Sequence, residues 1–285
     1  MNNLRISYVL TTYNKIESLK VVLHEILNQI DFNSEELIIV DGASKDGTNE
    51  YLDELYKLNK ISTFVSESDK GEAHGFNKGI LLAKGEFIKI ITDDDIFNLD
   101  IVRSSVKFLE NNINIDFLFS NGYTLDVLDG IDRYHLHDYT EDFIKWKQKN
   151  QAFSFCGLGL LLRKRSLPLI GLFNTNYIRV DAEYSFRNSI NGSNIGFLAS
   201  PSWVRVSNPL SNSQKFKSKM IKEEIIFNNL YLNKKSNFLL YKFKFKNLFN
   251  CLFNSNPKNI VIFDYKLAYY NSIEFLSNVN LEFHK

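Results

Sequence analysis

The chain is poor in cysteine, in net charge and in long apolar runs, and each shortage excludes something. Two cysteines in 285 residues, Cys156 and Cys251, are too few for a disulfide framework, and they favour a reducing compartment. No stretch approaches the roughly 20 consecutive apolar residues that a membrane-spanning helix needs. The opening MNNLRISYVLTTYN has no apolar signal core before its first strand-like run. The expectation is a cytoplasmic protein, free or peripheral on the inner face of the cell membrane. A formal net charge of +1 gives no global reason to expect nucleic acid as a partner. What is present is ordinary for a globular protein: 44% hydrophobic and 24% charged residues, and enough length for one domain with an appendage or two small ones.

The first half alternates between two periods. Ile6 to Leu10, Leu37 to Val40, Ile61 to Val65, Glu86 to Thr92 and Phe117 to Phe119 read as strands. Between them, apolar residues recur at helical spacing: Ile16, Leu19, Leu23, Ile26, Leu27 and Ile30; Tyr51, Leu52, Leu55 and Leu58; Glu72 to Ala83; and Ile101, Val102, Val106 and Leu109. Continuous apolar strands alternating with helices predict βαβ units and a mostly parallel, Rossmann-like sheet flanked by helices. The second half is less regular. Residues 133–139, RYHLHDY, read as a polar aromatic loop. Gly157 to Arg163 reads as a strand, and DAEYSFR, residues 181–187, opens a helix. From about Lys215 the composition shifts to Lys, Asn, Phe, Tyr and Leu with helical patterns. Two such segments meet near Pro257, and YKFKFKNLFNCLF, residues 241–253, suits packing on the rest of the chain first and an anionic membrane second.

In such sheets ligands bind beyond the carboxyl ends of the strands. Polar residues gather there: Thr11, Thr12, Tyr13 and Asn14 after the first strand, Asp41 after the second, and Asp93, Asp94 and Asp95 after the fourth. Adjacent carboxylates raise one another's pKa, a cost that solvation relieves and a divalent cation exploits. A bare acidic triplet reads first as a polar turn. Asp41 suits either a ribose or base imide, or its own turn in DGASKDGT. In DKGEAHGFNKG, residues 69–79, the glycines allow close backbone approach. Their spacing is not that of a dinucleotide fingerprint.

Taken together, TTYN, IIVDGASKDGT, SESDKGEAHGFNKG and GEFIKIITDDD resemble, in order and spacing, the family 2 glycosyltransferases of the GT-A fold. The match is close over residues 4–125 and looser to about 205. The resemblance implies a catalytic domain over 1–210, with a nucleotide-sugar half at 1–125 and an acceptor half at 126–210, followed by a helical extension at 211–285. It implies an inverting transfer from a nucleotide sugar, a UDP-sugar by family habit, to a glycan or lipid-linked hydroxyl in bacterial surface polysaccharide synthesis.

By the same resemblance Thr11, Tyr13, Asn14, Asp41, Asp69, Asn77 and Asp93 contact the donor. Asp94 and Asp95 hold Mg²⁺ or Mn²⁺. Thr92 stands where the family often has the first Asp of its metal motif. Asp181 is the base, with Glu183 in reserve; read without the family, Asp181 is a helix cap. Arg163, Lys164 and Arg165 form a basic turn that suits a phosphate-bearing acceptor or plain solvent. His135 and His137 flank Leu136, so on a strand they face the same way and suit a metal, a diphosphate or no ligand. Two other readings stand beside this one. One is a non-catalytic nucleotide-sugar binder. The other is a phosphatase resembling the haloacid dehalogenases, whose motif asks for Thr or Val where Phe97 stands.

Overall fold

A computed structural model describes residues 4–128, 131–207, 215–232 and 265–285. Four strands, β1 (Ile6–Thr12), β2 (Glu35–Asp41), β3 (Thr63–Ser66) and β4 (Phe87–Thr92), form the parallel half of the sheet in the order β3-β2-β1-β4. β2 and β4 are buried along their whole length, which is why their sequences are continuous apolar runs rather than alternating ones. Helices α1 (Ile16–Leu27), α2 (Thr48–Lys57), α3 (Glu72–Leu82) and α4 (Leu99–Asn111) supply the crossovers. The α4 start is set by Asn98, whose side chain accepts from the amides of Asp100 and Ile101. Helix α3 lies so close to β1 that a Cβ at Gly79 would sit 2.2 Å from Val9 Cγ1. Only glycine permits that approach.

The rest of the sheet is mixed. A two-residue strand β5 (Ile96–Phe97) precedes α4. After α4 come β6 (Phe117–Leu128), β7 (Ile131–His137), α5 (Thr140–Lys149), β8 (Leu161–Arg163), α6 (Leu167–Ile170), α7 (Val180–Ile190) and β9 (Ile195–Val206). Strand β8 runs antiparallel between β4 and β6, and β9 pairs parallel with β6. The whole is a mixed α/β fold around a mostly parallel central sheet.

Three expectations for the second half need correction. Residues 131–137 are a strand, not a loop: β7 pairs antiparallel with β6 from Ile131↔Leu128 to His137↔Gly122. Its alternation of Arg133, His135 and His137 with Tyr134 and Leu136 is a period of two that polar composition disguised. Residues 157–163 are not one strand. Gly157–Gly159 form a 3₁₀ turn, and only Leu161–Arg163 pair in the sheet. The turn crosses β6 so tightly that a Cβ at Gly159 would lie 2.7 Å from the Ser120 backbone. Finally, Arg163 does not face solvent. Its guanidinium is buried and donates to the carbonyls of Ile115 at 2.8 Å and Leu109 at 2.6 Å, so it is closed to any acceptor.

The carboxyl-terminal elements pack on this body. Helix α8 (Lys217–Tyr231) sets Phe227 against Ala182 and Phe186 of α7. Helix α9 (Tyr265–Ser277) buries Ala268, Tyr269 and Leu276 in the main core, and β10 (Phe283–His284) adds an edge strand to β9. Residues 241–253 and Pro257 lie outside the described residues. Among the described residues, no helix is long and apolar enough to cross a membrane.

Candidate active site

The carboxyl ends of β1, β2 and β4 stand side by side, because the parallel register aligns Thr12 with Asp41 and Thr11 with Thr92. The loop after β1 is locked to the loop after β2. Asn14, with φ at 51°, donates its amide to Ser44 Oγ at 2.7 Å and accepts from the Lys45 amide at 2.8 Å. Asn tolerates that left-handed conformation better than most residues. Asp41 is fully buried. Its carboxylate accepts from the Ser44 amide at 3.0 Å, from Ser66 Oγ at 2.6 Å and from the Ser44 hydroxyl. The aspartate thus shapes the turn that it ends.

A shallow cradle opens beside it. Tyr13 is 56% exposed, and Gly42 lies between its ring and the Asp69 carboxylate. A Cβ at Gly42 would meet Tyr13 Cδ2 at 3.1 Å and Asp69 Oδ2 at 3.3 Å, and one at Gly75 would meet Thr11 Cγ2 at 3.0 Å. Thr11, Tyr13 and Asp69 therefore share one small-residue floor. Asn77 is turned elsewhere. Its amide clasps the loop after α6, donating to Phe173 O at 2.8 Å and accepting from Phe173 N at 2.9 Å.

The three aspartates separate in role. Asp93 and Asp94 are bridged by Lys15, whose Nζ lies 3.1 Å from Asp93 Oδ1 and 2.5 Å from Asp94 Oδ2. Asp95 points away from them. It accepts from Thr92 Oγ1 at 2.6 Å and from the Val206 amide at 3.0 Å, which ties the strand end to β9. Burial raises the Asp93 and Asp95 pKa values, and the neighbouring Asp94 charge raises both further. Burial opposes the charge on Lys15, but Asp93 and Asp94 more than offset it and hold the ammonium above its usual range.

Asp181, in the first turn of α7, comes to the same place from the second half of the chain. Its Oδ2 accepts from the Gly157 amide at 3.2 Å and its Oδ1 from the Ala182 amide at 2.8 Å. Glu72 opens α3 and is half-buried. Burial pushes its carboxyl up to about 7. Lys15 works against this shift, and the charges of Asp181, Asp94 and Asp93 add to it. Glu183 is unavailable as a base: it is buried and paired with Arg187 at 2.9 Å.

Under the site lies a buried lysine. Lys89 of β4 donates to the Leu158 carbonyl and, at 3.3 Å, to Leu160 O, so it supports the turn that presents Gly157 to Asp181. Burial lowers its pKa to about 7.

Sequence reading missed Lys15, Glu72 and Lys89. Lys15 follows directly after TTYN but lies 78 residues before Asp93, so nothing in the sequence joined it to the acidic triplet. Glu72 looked like a first-turn acid, and Lys89 like an interruption of an apolar strand.

Among the described residues, no three Asp, Glu, His or Cys side chains converge on one metal position. Magnesium commonly takes only one or two carboxylates and completes its shell with water and substrate phosphates. The Asp93–Asp94 pair, already bridged by a cationic nitrogen, fits that smaller donor set.

The fold and the residues gathered at its sheet edge define an α/β protein with an acidic strand-end site. The profile of "Glycosyl transferase family 2" matches residues 7–167, more than half of the chain, and the chain belongs to that family. An uncharacterized glycosyltransferase of Methanocaldococcus jannaschii is 29% identical over 150 residues, 52% of this chain and 50% of that one. The Escherichia coli UDP-Glc:α-D-GlcNAc-diphosphoundecaprenol β-1,3-glucosyltransferase WfgD is 24% identical over 222 residues, 76% of this chain and 83% of that one. The chain spans half or less of the length of the most similar curated relatives. Among solved structures, the mannosyltransferase PcManGT of Pyrobaculum calidifontis, in complex with GDP-Man and Mn²⁺, superposes with a TM-score of 0.59 at 16% identity. The match covers 96% of this chain and 84% of that one. The fold is therefore GT-A, and family membership displaces the phosphatase reading.

Proposed function

We propose that this protein transfers a sugar from a nucleotide-sugar donor to a hydroxyl of a glycan or lipid-linked acceptor, with inversion, in surface polysaccharide synthesis. The observation that carries this reading is the Gly157–Gly159 turn: its Gly157 amide holds Asp181 and its Leu158 carbonyl accepts from Lys89 of β4, which ties a carboxylate from the second half of the chain to the strand that ends at Asp93 and Asp94. In this reading the division is 1–125 for donor binding, 126–210 for the acceptor and 211–285 for an extension, of which the described helices α8 and α9 pack on the rest. The donor nucleotide lies over Thr11, Tyr13, Asn14, Asp41 and Asp69, with Asp93 toward the ribose or sugar. UDP is favoured as the carrier because the name of WfgD specifies UDP-Glc. Asp94 holds the divalent cation, and the Mn²⁺ bound by PcManGT favours one. Asp95, expected at the metal, and Asn77, expected at the donor, position the site instead, since the Asp95 carboxylate is taken up by Thr92 and Val206 and the Asn77 amide by Phe173. When bound, the cation supplies positive charge opposite the departing nucleoside diphosphate.

Asp181 then accepts the proton of the attacking hydroxyl. Its two backbone donors, the amides of Gly157 and Ala182, fix the carboxylate. Attack from the face opposite the leaving group inverts the anomeric carbon. The buried surroundings of Asp93 limit water, which strengthens its charge interactions.

Calorimetric titration of UDP, GDP and dTDP, with and without Mn²⁺, tests the donor half. One nucleotide should bind only with metal, and Asp94→Asn should lose that binding. If no nucleotide binds under any condition, the aspartates are a structural turn. Asp181→Asn should keep nucleotide affinity while transfer falls by roughly 10²–10⁴-fold, the usual contribution of a general base. Full activity in Asp181→Asn, measured with a diphosphate-linked sugar acceptor, would remove the base assignment. Nucleotide-sugar binding without transfer to any acceptor would leave the non-catalytic alternative.

A further inference from the structure

The β6–β7 hairpin has two unlike faces. On one, Tyr123 and Tyr134 pack against Phe275 of α9, with ring centroids 4.9 and 4.6 Å away, and Tyr134 Oη meets Ser272 Oγ at 3.1 Å. The other face is set by strand register. Thr124 of β6 stands opposite His135 of β7 and Arg205 of β9, while Gly122 pairs with His137 and Asp126 with Arg133. Side chains alternate along a strand, so Arg133, His135, His137 and Arg205 share this face with a single carboxylate, Asp126. His135 has Asp126 at 3.3 Å. Among the described residues neither Arg133 nor Arg205 has an ion-pair partner, and both are exposed. Arg205 is nonetheless held in place. It donates to Thr124 Oγ1 at 2.9 Å, and the same hydroxyl meets His137 Nε2 at 2.7 Å.

This face continues into the candidate active site. The His137 ring stacks 6.5 Å from that of Tyr139, whose hydroxyl accepts from the Cys156 amide at 3.1 Å. Gly157, the next residue, donates to Asp181. Charge effects place the same neighbours together. Burial pushes the Cys156 thiol and the Tyr139 phenol up, Asp181 pushes both further, and Arg205 pulls both back. Arg205 and Asp181 are thus joined through Thr124, His137, Tyr139 and the Cys156–Gly157 backbone. The cradle of Tyr13, Gly42 and Asp69 is formed by the loops after β1, β2 and β3, at the other half of the sheet.

The geometry points to this basic row as the seat of a phosphate group on the acceptor, attached close to the sugar whose hydroxyl Asp181 deprotonates. The inference rests on the transferase reading above and adds to it the chemical class of the acceptor. Arginine suits the task because its planar fork matches phosphate oxygens in pairs, and Thr124 preorganises one such fork. Uncharged glycan acceptors offer two guanidinium groups that lack an ion-pair partner only neutral hydroxyl oxygens, without the charge or the paired oxygens of a phosphate.

The test is calorimetric titration without donor, using three probes. One is N-acetylglucosamine linked through a diphosphate to a farnesyl chain. The second is a glycerol phosphate oligomer, and the third is the uncharged octyl glycoside of N-acetylglucosamine. Wild type should bind one of the phosphate probes at least tenfold more tightly than the octyl glycoside. Arg205→Gln should reduce that preference about tenfold, as for the loss of one charge-assisted hydrogen bond. Adding Arg133→Gln should reduce it again, and Arg205→Lys should restore part of it. UDP affinity, measured in parallel, should stay at the wild-type value in every variant, which also reports an intact fold. Preference for the diphosphate probe names a lipid-linked acceptor, and preference for the oligomer names a phosphodiester polymer. Equal binding of all three probes by wild type, or a preference that survives both Arg→Gln changes, overturns the proposal. Failure of the transferase reading shows separately, as absence of nucleotide affinity in wild type.

Discussion

Two adjacent buried carboxylates repel each other, and the chain answers this at Asp93 and Asp94 with a single ammonium from Lys15. Removing one partner of such a cluster leaves charge uncompensated. A fully buried pair costs about 3–5 kcal/mol to break. The Lys15 side chain is 28% exposed, so Lys15→Met should cost less, roughly 1–3 kcal/mol. The same change clears the position that a dication bound to Asp94 would contest. Millimolar Mn²⁺ should therefore raise the melting temperature of Lys15→Met more than that of wild type. Thermal unfolding of both proteins, with and without Mn²⁺, checks this; equal Mn²⁺ shifts would mean that Lys15 and the cation do not share carboxylates. At this scale the sequence displayed the acceptor groups but not their partners. Asp41 and Asp93 to Asp95 were visible because polar residues at strand ends interrupt apolar runs, and Asp69 because it opens the glycine-spaced segment DKGEAHGFNKG. Lys15 and Glu72 were not, because ordinary loop and first-turn positions also carry such charges. Asn77 and Asp95 were visible, but the sequence could not show which way their side chains turn.

Among the elements, the parallel half was legible and the mixed half was not. β1, β2 and β4 are continuous apolar runs between turn residues, and their helices repeat at 3.6. Strand β7 hides because its exposed face is basic and its covered face is tyrosine, so neither reads as an apolar stripe. The three-residue β8 and the 3₁₀ turn before it are too short for any period to register. That turn depends on Lys89, and this dependence has a pH signature. An unfolded lysine titrates near 10.5, and this one titrates at about 7 in the fold. Between those values the unfolded chain binds more protons, so the contribution of Lys89 to stability rises with pH across that window. Below pH 7 its charge is a standing cost, offset in part by the Leu158 and Leu160 carbonyls. The stability of wild type relative to Lys89→Met should thus improve between pH 7 and pH 9, by on the order of 2 kcal/mol. Urea unfolding of both proteins at the two pH values measures the difference. A difference that does not change with pH would mean that Lys89 keeps its charge throughout.

For the molecule as a whole, the question is whether the extension is a separate unit or part of one cooperative body. The described contacts favour one body. Leu276 of α9 is fully buried in the cluster that also contains Tyr8, Phe97 and Trp203 from the sheet, and β10 closes the edge of β9 through the Phe283↔Leu198 pairing. Deleting most of a buried leucine side chain costs about 2–5 kcal/mol when the cavity cannot collapse. Leu276→Ala should therefore lower the melting temperature by several degrees while calorimetry still records a single transition, since the loss falls on a core common to both parts. Two separated transitions, with only the smaller one moved, would instead make α9 an independent appendage. The same helix also covers the tyrosine face of the β6–β7 hairpin and so leaves the basic face toward Asp181. A loosened α9 should then weaken binding of the phosphate-bearing acceptor probe more than binding of UDP, because its ring contacts fall on Tyr123 and Tyr134 of that hairpin. Parallel titrations of Leu276→Ala with the two ligands decide the point. Equal weakening of both would place the effect of α9 on the whole sheet rather than on the acceptor side.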